Sequence, residues 1–543
     1  MAFTVGTKSN HSLVVSSGRT ILFMLKQNHS LRGFLPSTSM CSLSSISVED
    51  ARKTKPFSEI PGPLRLPVFG TTWTFFVGTK GQPLGKRFYE IQAENVKKYG
   101  KVFRNKLPGI EIISLSDPAD VAKLLRSDPK YPERLDFPAL NFYREKRKKI
   151  PGVFFADGEE WYKLRSVLSK RMLRPKEVAD YTPSFNKIIG DFIHRLRSVR
   201  EPSGSEKENE VCELDNELFK WSFESVAEVL FDKRFGCLEE EINEEAQTFI
   251  KAVGDFLANA VEVGFLPNWF YKIYETQKFK KFFDSFDTMY DYAELFIGRR
   301  IKELKEKSCK PSKETERDRA GFFEFLLASG KLTKDDLLAS VIDVLFAGVD
   351  TTSNTMQWVL YILAKNPEKQ KILRREVLSV VGNSTFATPE TLVRMPYLKA
   401  WLRETLRLYP VLSSIPRRPK EDIILGGYHI PGGTAQVEFL VHQMGRDESI
   451  FEDAEAFKPE RWLRNKDITL IESAEAFASL PFGFGTRMCL GRRIAELELH
   501  LLMARIVQQF DISYPPEAEN VEPFMRGVTI PDRPVRVQFV DRK

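Results

Sequence analysis

Apolar residues recur at three- and four-residue intervals along much of the chain. Phe185 to Val199, Phe283 to Lys307 and Pro367 to Val381 show this period and predict helices. Leu337 to Tyr361 is a longer apolar stretch, interrupted by Ala347-Gly348-Val349-Asp350-Thr351-Thr352. The interruption has two readings. A small-residue gap inside one helix leaves room beside it, and a Thr hydroxyl there can bond the carbonyl one turn back. Alternatively, Asp350 or Thr351 is an N-cap that starts a new helix at Ser353. Alternating, strand-like runs are short and few: Ile110 to Leu115, Ile423 to Ile430 and Val535 to Val540. The pattern predicts a mainly α protein with a minor β region. No repeat and no interior boundary is visible, so 82–543 reads as a single domain. Ahead of it, Ile60-Pro61-Gly62-Pro63 through Pro67 and Gly70 excludes helix, and 49–81 reads as a linker and proline-rich entrance. Gly/Ser/Glu/Lys-rich and charged stretches at Arg200 to Glu210 and Lys305 to Arg319 predict surface connectors.

The leader differs in composition. Residues 1–48 hold no Asp or Glu, four basic residues (Lys8, Arg19, Lys26, Arg32) and eleven serines. That is the composition of an organellar transit peptide, and its apolar runs are too short to cross a bilayer. Apolar residues at 42% and charged residues at 29% permit a large core, and the net charge of +7 is mildly basic. With no zinc-finger spacing, basic helix or aromatic RNA-binding motif, nucleic acid is not an expected partner.

The candidate chemistry lies in one cysteine. Cys41, Cys212, Cys237, Cys309 and Cys489 are scattered, with no CxxC pair, and the six histidines show no HExxH spacing. Cys489 sits in Pro481-Phe-Gly-Phe-Gly-Thr-Arg-Met-Cys-Leu-Gly-Arg-Arg-Ile-Ala-Glu, just before a helix expected over Arg492 to Phe510. Gly483 and Gly485 permit tight backbone and close approach to a flat ligand. A thiolate at the helix start meets unsatisfied backbone N–H groups and the positive dipole end, which predicts a lowered thiol pKa. Arg487 can pair with an anionic group. The spacing fits neither GxGxxG nor GxxxxGK[ST], which leaves a plain buried cysteine as the other reading.

This segment resembles the haem-binding loop of the cytochrome P-450 superfamily: FGxGxRxCxG fixes six residues in a ten-residue frame. The resemblance implies the P-450 fold and haem b, iron protoporphyrin IX, with Cys489 as axial ligand. Phe482, Gly483, Arg487 and Gly491 would then be cofactor-binding. Trp161-x-x-x-Arg165 and Arg417 resemble propionate-binding positions, with Arg418 competing for the latter. Asp350 and Thr351 resemble the oxygen-activation pair, catalytic in proton delivery. Glu404 and Arg407, an ExxR pair on one helix face, resemble a buried structural pair joined by Arg461 of Phe457-Lys-Pro-Glu-Arg461-Trp.

The chain further resembles the animal mitochondrial class. Arg492 and Arg493 follow the glycine as in that class, and Lys399 and Arg403 match positions that dock an acidic, adrenodoxin-like ferredoxin. Gly264 to Tyr274 resembles a membrane-touching loop, implying peripheral association on the matrix side of the inner membrane. The expected activity is oxygen insertion into an apolar small molecule, sterol-like, lipid or xenobiotic. Pocket-lining residues are expected from Phe137 to Phe155, Val341 to Thr352, Val411 to Ile415 and Phe524 to Thr529. A haem-thiolate isomerase or dehydratase, and a non-catalytic haem-binding sensor, are the alternative readings.

Overall fold

The helical period is borne out along the chain of the computed structural model. It describes residues 54–542 apart from 68, 76–83, 108–109, 135–136, 242, 265–269, 271–272, 309–320, 384 and 464–473. The leader, the middle of the 264–274 loop and most of the 305–319 connector lie outside the described residues.

Seven helices position the site: α1 (Gly158–Met172), α2 (Leu214–Phe231), α3 (Glu244–Gly264), α4 (Gln277–Ser308), α5 (Lys334–Lys365), α6 (Pro396–Leu408) and α7 (Arg492–Gln509). Thr333 starts α5 with a capping box: its Oγ1 accepts from Asp336 N at 3.1 Å, and the Asp336 carboxylate accepts from Thr333 N at 2.8 Å. The helix then runs unbroken to Lys365, where Pro367 opens the next one. The N-cap reading of Asp350 and Thr351 is therefore overturned. From Asp336 to Ala364 every residue of α5 is buried except Ala347, Gly348 and Thr351, which share one face. Burying side chains such as Leu345, Val349, Leu360 and Leu363 stabilises the fold by about 1.5–3 kcal/mol each as an upper bound.

The β region is small, as expected, but richer than the alternating runs showed. Strands β1 (Val102–Leu107), β2 (Ile110–Leu115), β3 (Ile415–Arg417) and β4 (Gln436–Phe439) form a sheet in the order β1-β2-β4-β3. β2 pairs antiparallel with β1 and parallel with β4. The proline-rich entrance lies along β1: Arg104 N donates to Pro61 O at 2.7 Å, and a Cβ on Gly62 would stand 2.1 Å from Arg104 O. The run at Ile423 to Ile430 is a tight hairpin, Ile423–Leu425 with Tyr428–Ile430. A second hairpin, β5 (Pro523–Arg526) and β6 (Val528–Pro531), turns at Gly527, whose φ of +76° suits glycine.

Much of the phenylalanine lies in one aromatic network. Phe346 of α5 stacks on Phe155 at 6.1 Å and meets Phe154 and Phe256 edge-on at 5.5 and 5.7 Å. Phe256 of α3 meets Phe286 of α4 at 4.6 Å. Two expected pocket-lining segments, Phe137 to Phe155 and Val341 to Thr352, thereby touch. The other two are joined by Thr529 N donating to Val411 O at 2.7 Å.

Candidate active site

Two glycines shape the cysteine loop. Gly483 and Gly485 have φ of +69° and +75°, a region that penalises any other residue. Their turns let Cys489 N donate back to Phe482 O at 2.8 Å, presenting the side chain at the start of α7, whose N-cap is Gly491. The Cys489 side chain is half-buried. Burial pushes its thiol up from the usual value, against the Gly491 and Arg492 backbone N–H groups and the charges of Arg134 and Arg165. The helix-dipole expectation of a lowered pKa is thus corrected. The N–H groups pull as expected, but desolvation outweighs them.

Four arginines gather beside this loop. Arg487 is buried and stacks 4.1 Å over the Trp161 ring of α1. It donates to Pro132 O and Ala156 O, both at 2.8 Å, and pairs with Asp157. Arg417, buried on β3, pairs with Asp128 at 2.9 Å and reaches Phe484 O at 3.4 Å. Arg165 is buried on α1 and lies within electrostatic reach of Cys489. The fourth, Arg134, was not anticipated from sequence; it donates to Arg487 O. No sequence motif marks Arg134, which meets Arg487 only across 353 residues of chain. Arg417, not Arg418, joins the group; Arg418 N instead bridges to Glu133 O at 3.1 Å.

The group is short of negative charge. Among the described residues its acids are Asp128 and Asp157, two carboxylates for four guanidiniums. Burial and the charges of Arg417, Arg487 and Arg165 push Arg134 down to about 9. Burial likewise takes Arg487 down to about 10, although Asp157 opposes it. Arg487 Nη1 and Arg134 Nε are buried with no hydrogen-bond partner. Such an arrangement suits a ligand carrying two further carboxylates.

On α5, Thr351 donates its hydroxyl to Ala347 O at 2.6 Å. Asp350 is buried, and its carboxylate accepts from Arg526 Nη2 at 3.0 Å and Asn354 Nδ2 at 3.2 Å. Burial pushes this carboxyl up, and Arg526 and Asn354 oppose it.

The ExxR pair is fully buried. Arg407 grips Glu404 with two bonds, 2.8 and 2.7 Å. Arg461 joins at 3.0 Å as expected, and the sequence reading missed Trp462 Nε1 at 2.8 Å and Lys458 N at 2.9 Å, both donating to the same carboxylate.

The four docking candidates fall on two packed helices, α6 and α7. Partial burial, then the neighbouring Arg492 charge, lower the Arg403 guanidinium's pKa, and Arg403 stacks 4.3 Å over Trp462. Burial pushes His500 of α7 down to about 4, helped by the charge of Lys399 on α6. Arg492 is paired with Glu496 at 3.0 Å, and Arg493 is exposed.

Fold and site together define a haem-thiolate monooxygenase. The chain belongs to the cytochrome P450 family, whose model matches residues 60–539. It is 34% identical over 92% of its length to cytochrome P450 10 of Lymnaea stagnalis, covering 88% of that protein. It is 33% identical to the mitochondrial sterol 26-hydroxylase of Homo sapiens, over 94% of this chain and 93% of that one. The mitochondrial 1,25-dihydroxyvitamin D(3) 24-hydroxylase of Rattus norvegicus is 33% identical over 90% of each. The mitochondrial-class resemblance is borne out by these relatives. The haem-thiolate iron that the family implies fits the residues present. The half-buried sulfur can ligate iron, while the unpartnered guanidinium atoms and unbalanced positive charge suit two propionates.

Proposed function

We propose that this chain is a mitochondrial, ferredoxin-dependent monooxygenase that binds haem b through Cys489 and hydroxylates an apolar small molecule, sterol-like, lipid or xenobiotic. The observation that carries the reading is the arginine group beside Cys489, in which four guanidiniums meet two carboxylates among the described residues. When bound, haem b supplies reductive activation of dioxygen, which thiolate donation promotes. Coordination supplies the deprotonation that burial alone disfavours at Cys489. Trp161, Arg165, Arg417 and Arg487, with Arg134 added, hold the propionates. Phe482, Gly483 and Gly491 shape the loop against the cofactor.

Asp350 and Thr351 are the catalytic pair, and their task is proton handling. The Thr351 proton is committed to Ala347 O, so its oxygen presents lone pairs toward the accessible face shared with Ala347 and Gly348. Thr351→Ala is expected to leave substrate binding within about twofold while cutting product per NADPH roughly tenfold or more, with peroxide released instead. Thr351→Ser should retain most of the coupling. An unchanged ratio in the alanine variant assigns Thr351 to helix shape alone.

Lys399, Arg403, Arg492 and Arg493 form the docking surface for an acidic ferredoxin. Arg492→Glu or Lys399→Glu is expected to weaken ferredoxin binding roughly ten- to a hundredfold at low salt, leaving substrate affinity intact, with the defect fading as ionic strength rises. Wild-type electron-transfer rates in both variants at low salt would make a diflavin reductase the donor to test.

Residues 1–48 are proposed as the mitochondrial transit peptide, with the domain at 82–543 acting on the matrix side of the inner membrane. No helix among the described residues is long and apolar enough to cross a membrane. Peripheral contact is supported by Ile273 and Tyr274, exposed at the end of the 264–274 loop. Relatives named for sterol and vitamin D hydroxylation support a sterol or secosteroid substrate. The test is a difference-spectrum screen across sterols, secosteroids, fatty acids and foreign compounds, followed by turnover with a reconstituted ferredoxin system. Turnover of a lipid peroxide without NADPH would instead assign an isomerase or dehydratase, and absence of both a sensor.

A further inference from the structure

Glu438 stands inside a β-sheet. It lies on β4, between β2 and β3, opposite Ser114 and Pro416. Its carboxylate accepts from Ser114 Oγ at 2.8 Å and from Ser414 Oγ at 3.0 Å. Side chains alternate across a sheet, so its neighbours Val437 and Phe439 point the other way, into an apolar core with Ile113, Leu115 and Ile415. An acid here runs against the preferences of the position. Interior strand positions suit β-branched and aromatic residues, and buried charges are normally paired.

Glu438 has no cation. Among the described residues the two serine hydroxyls are the groups that oppose burial, and burial wins, pushing the carboxyl above its usual value. Other buried acids have a guanidinium: Glu404 has Arg407, and Asp350 has Arg526. Glu498 of α7 also lacks a cation, but it is sealed beside Thr352 of α5 and Ser225 of α2. Glu438 is not sealed. It and Ser414 stay partly accessible while Ser114 is buried, so the carboxyl lies in a recess lined by hydroxyls. The serines take two of its roughly four acceptor positions, which leaves capacity for a donor that enters the recess.

The recess adjoins the candidate pocket. Ser414 belongs to the segment Val411 to Ile415, and Val411 O holds the β5–β6 hairpin through Thr529 N. The next residue, Ile415, faces the cysteine loop: a Cβ on Gly483 would stand 3.9 Å from Ile415 Cδ1. Arg417, on that same side of β3, joins the arginine group. One short segment thus has the cysteine loop on one side and the Glu438 carboxylate on the other. An elongated ligand that runs along it can react at one end and be held at the other.

We propose that Glu438, held by Ser114 and Ser414, is a subsite for a hydroxyl group of the substrate, remote from the carbon that is oxidised. A hydroxyl suits the recess better than an ammonium, because it donates one bond and enters without the cost of desolvating an ion. The inference rests on the reading of this chain as a hydroxylase of an apolar small molecule. It adds that this molecule is already an alcohol before it is oxidised.

The experiment uses the haem-loaded full chain and two pairs of probes that differ by one hydroxyl: cholesterol with cholest-5-ene, and dodecanol with dodecane. In difference-spectrum titrations the wild type is expected to bind the alcohol of at least one pair roughly tenfold or more tighter than its deoxy partner. Glu438→Leu should bring that pair within about threefold, by weakening the alcohol and not the hydrocarbon. Glu438→Gln, which still accepts a hydrogen bond, should keep part of the preference, and Ser414→Ala should reduce it with melting unchanged. If Glu438→Leu does not fold, the Glu438→Gln and Ser414→Ala titrations decide. Equal affinity within each pair in the wild type overturns the proposal. So does an undiminished preference for the alcohol in the folded variants, which makes Glu438 a staple between β2 and β3 alone. If no probe perturbs the haem of the wild type, the reading of an apolar substrate falls first, and this subsite with it.

Discussion

Cys489→Ser is expected to remove the red-shifted absorption of the reduced, carbon-monoxide-bound protein that marks a thiolate-ligated haem, while the chain remains folded. Serine keeps the size of the side chain and the backbone bond from Cys489 N to Phe482 O, so the loop has no reason to collapse. Its hydroxyl cannot replace the sulfur: a thiolate is a soft, charged donor, and an alcohol beside the same N–H groups stays neutral. Loss of an outer-sphere partner of a metal ligand typically costs about 10–100-fold in affinity or activity, and loss of the ligand itself should cost more. The other described cysteines cannot substitute. Cys212 is exposed beside Glu201, and Cys237 is buried, its thiol pushed far up by desolvation and by Glu224. Retention of the thiolate spectrum in the serine variant would move the iron ligand elsewhere and remove the basis of the proposed function.

The arginine group can be examined in the same spectra, because it acts on cofactor retention and not on ligand identity. Buried, under-neutralised positive charge is costly by itself and becomes favourable when two carboxylates arrive. The protein holds Asp128 and Asp157 in place to orient Arg417 and Arg487, and among the described residues no acid pairs with the side chain of Arg134 or Arg165. Stability and function share this device. The group that destabilises the cofactor-free chain is the one that makes binding of a dianionic cofactor favourable.

What could be read from sequence follows from how local each feature is. The cysteine loop was legible because its residues stand in a fixed ten-residue frame, and Glu404 with Arg407 because one helical turn brings them together. Arg461 was found through its own short motif. Lys458 N and Trp462 were not, since they reach Glu404 from a 3-10 turn whose orientation no periodicity encodes. Strands β3, β5 and β6 span only three or four residues, too short for a period of two to stand out. Arg526 meets Asp350 across 176 residues, with no pattern joining them. The thiol of Cys489 shows the same limit in energetic form. The N–H groups that lower its pKa are local and were visible, whereas the burial that outweighs them belongs to the tertiary structure. The choice at Asp350 and Thr351 was likewise tertiary. Both residues suit an N-cap, but the surrounding core buries the segment on nearly all sides and keeps the helix whole.

Arg407→Ala is expected to cost about 3–5 kcal/mol of stability and to leave little protein able to retain haem, because removing one partner strands a buried charge. Glu404 and Arg407 have no exposed side-chain surface. Every polar arm is used: besides Glu404, Arg407 donates to Ala454 O at 2.6 Å, to Ala456 O at 3.2 Å and to Gly445 O. Without the guanidinium, three backbone carbonyls lose a donor and the Glu404 carboxylate keeps only Arg461, Trp462 and Lys458 N. Arg407→Lys is a weaker rescue than charge alone suggests, since an ammonium cannot match the two parallel bonds or reach the carbonyls together. Acid should act in the same direction. Burial by itself raises the Glu404 carboxyl, but Arg407, Lys458 N and Arg461 bring it below its usual value. A carboxyl depressed in the folded state contributes stability above its unfolded pKa and loses it as pH falls through the folded one. The network therefore supports the fold at neutral pH and fails only in strong acid. Thermal unfolding and haem content, measured on Arg407→Ala, Arg407→Lys and Glu404→Gln from about pH 7 to about pH 2, which passes the ordinary carboxyl pKa near 4 and reaches the acid side of it, check this. The network ties α6 to the 445–462 segment that leads toward the cysteine loop, so unfolding and haem loss should fall together across the series. Should Arg407→Ala retain wild-type melting and haem, the pair is dispensable to the fold, and the cysteine loop is held by other contacts.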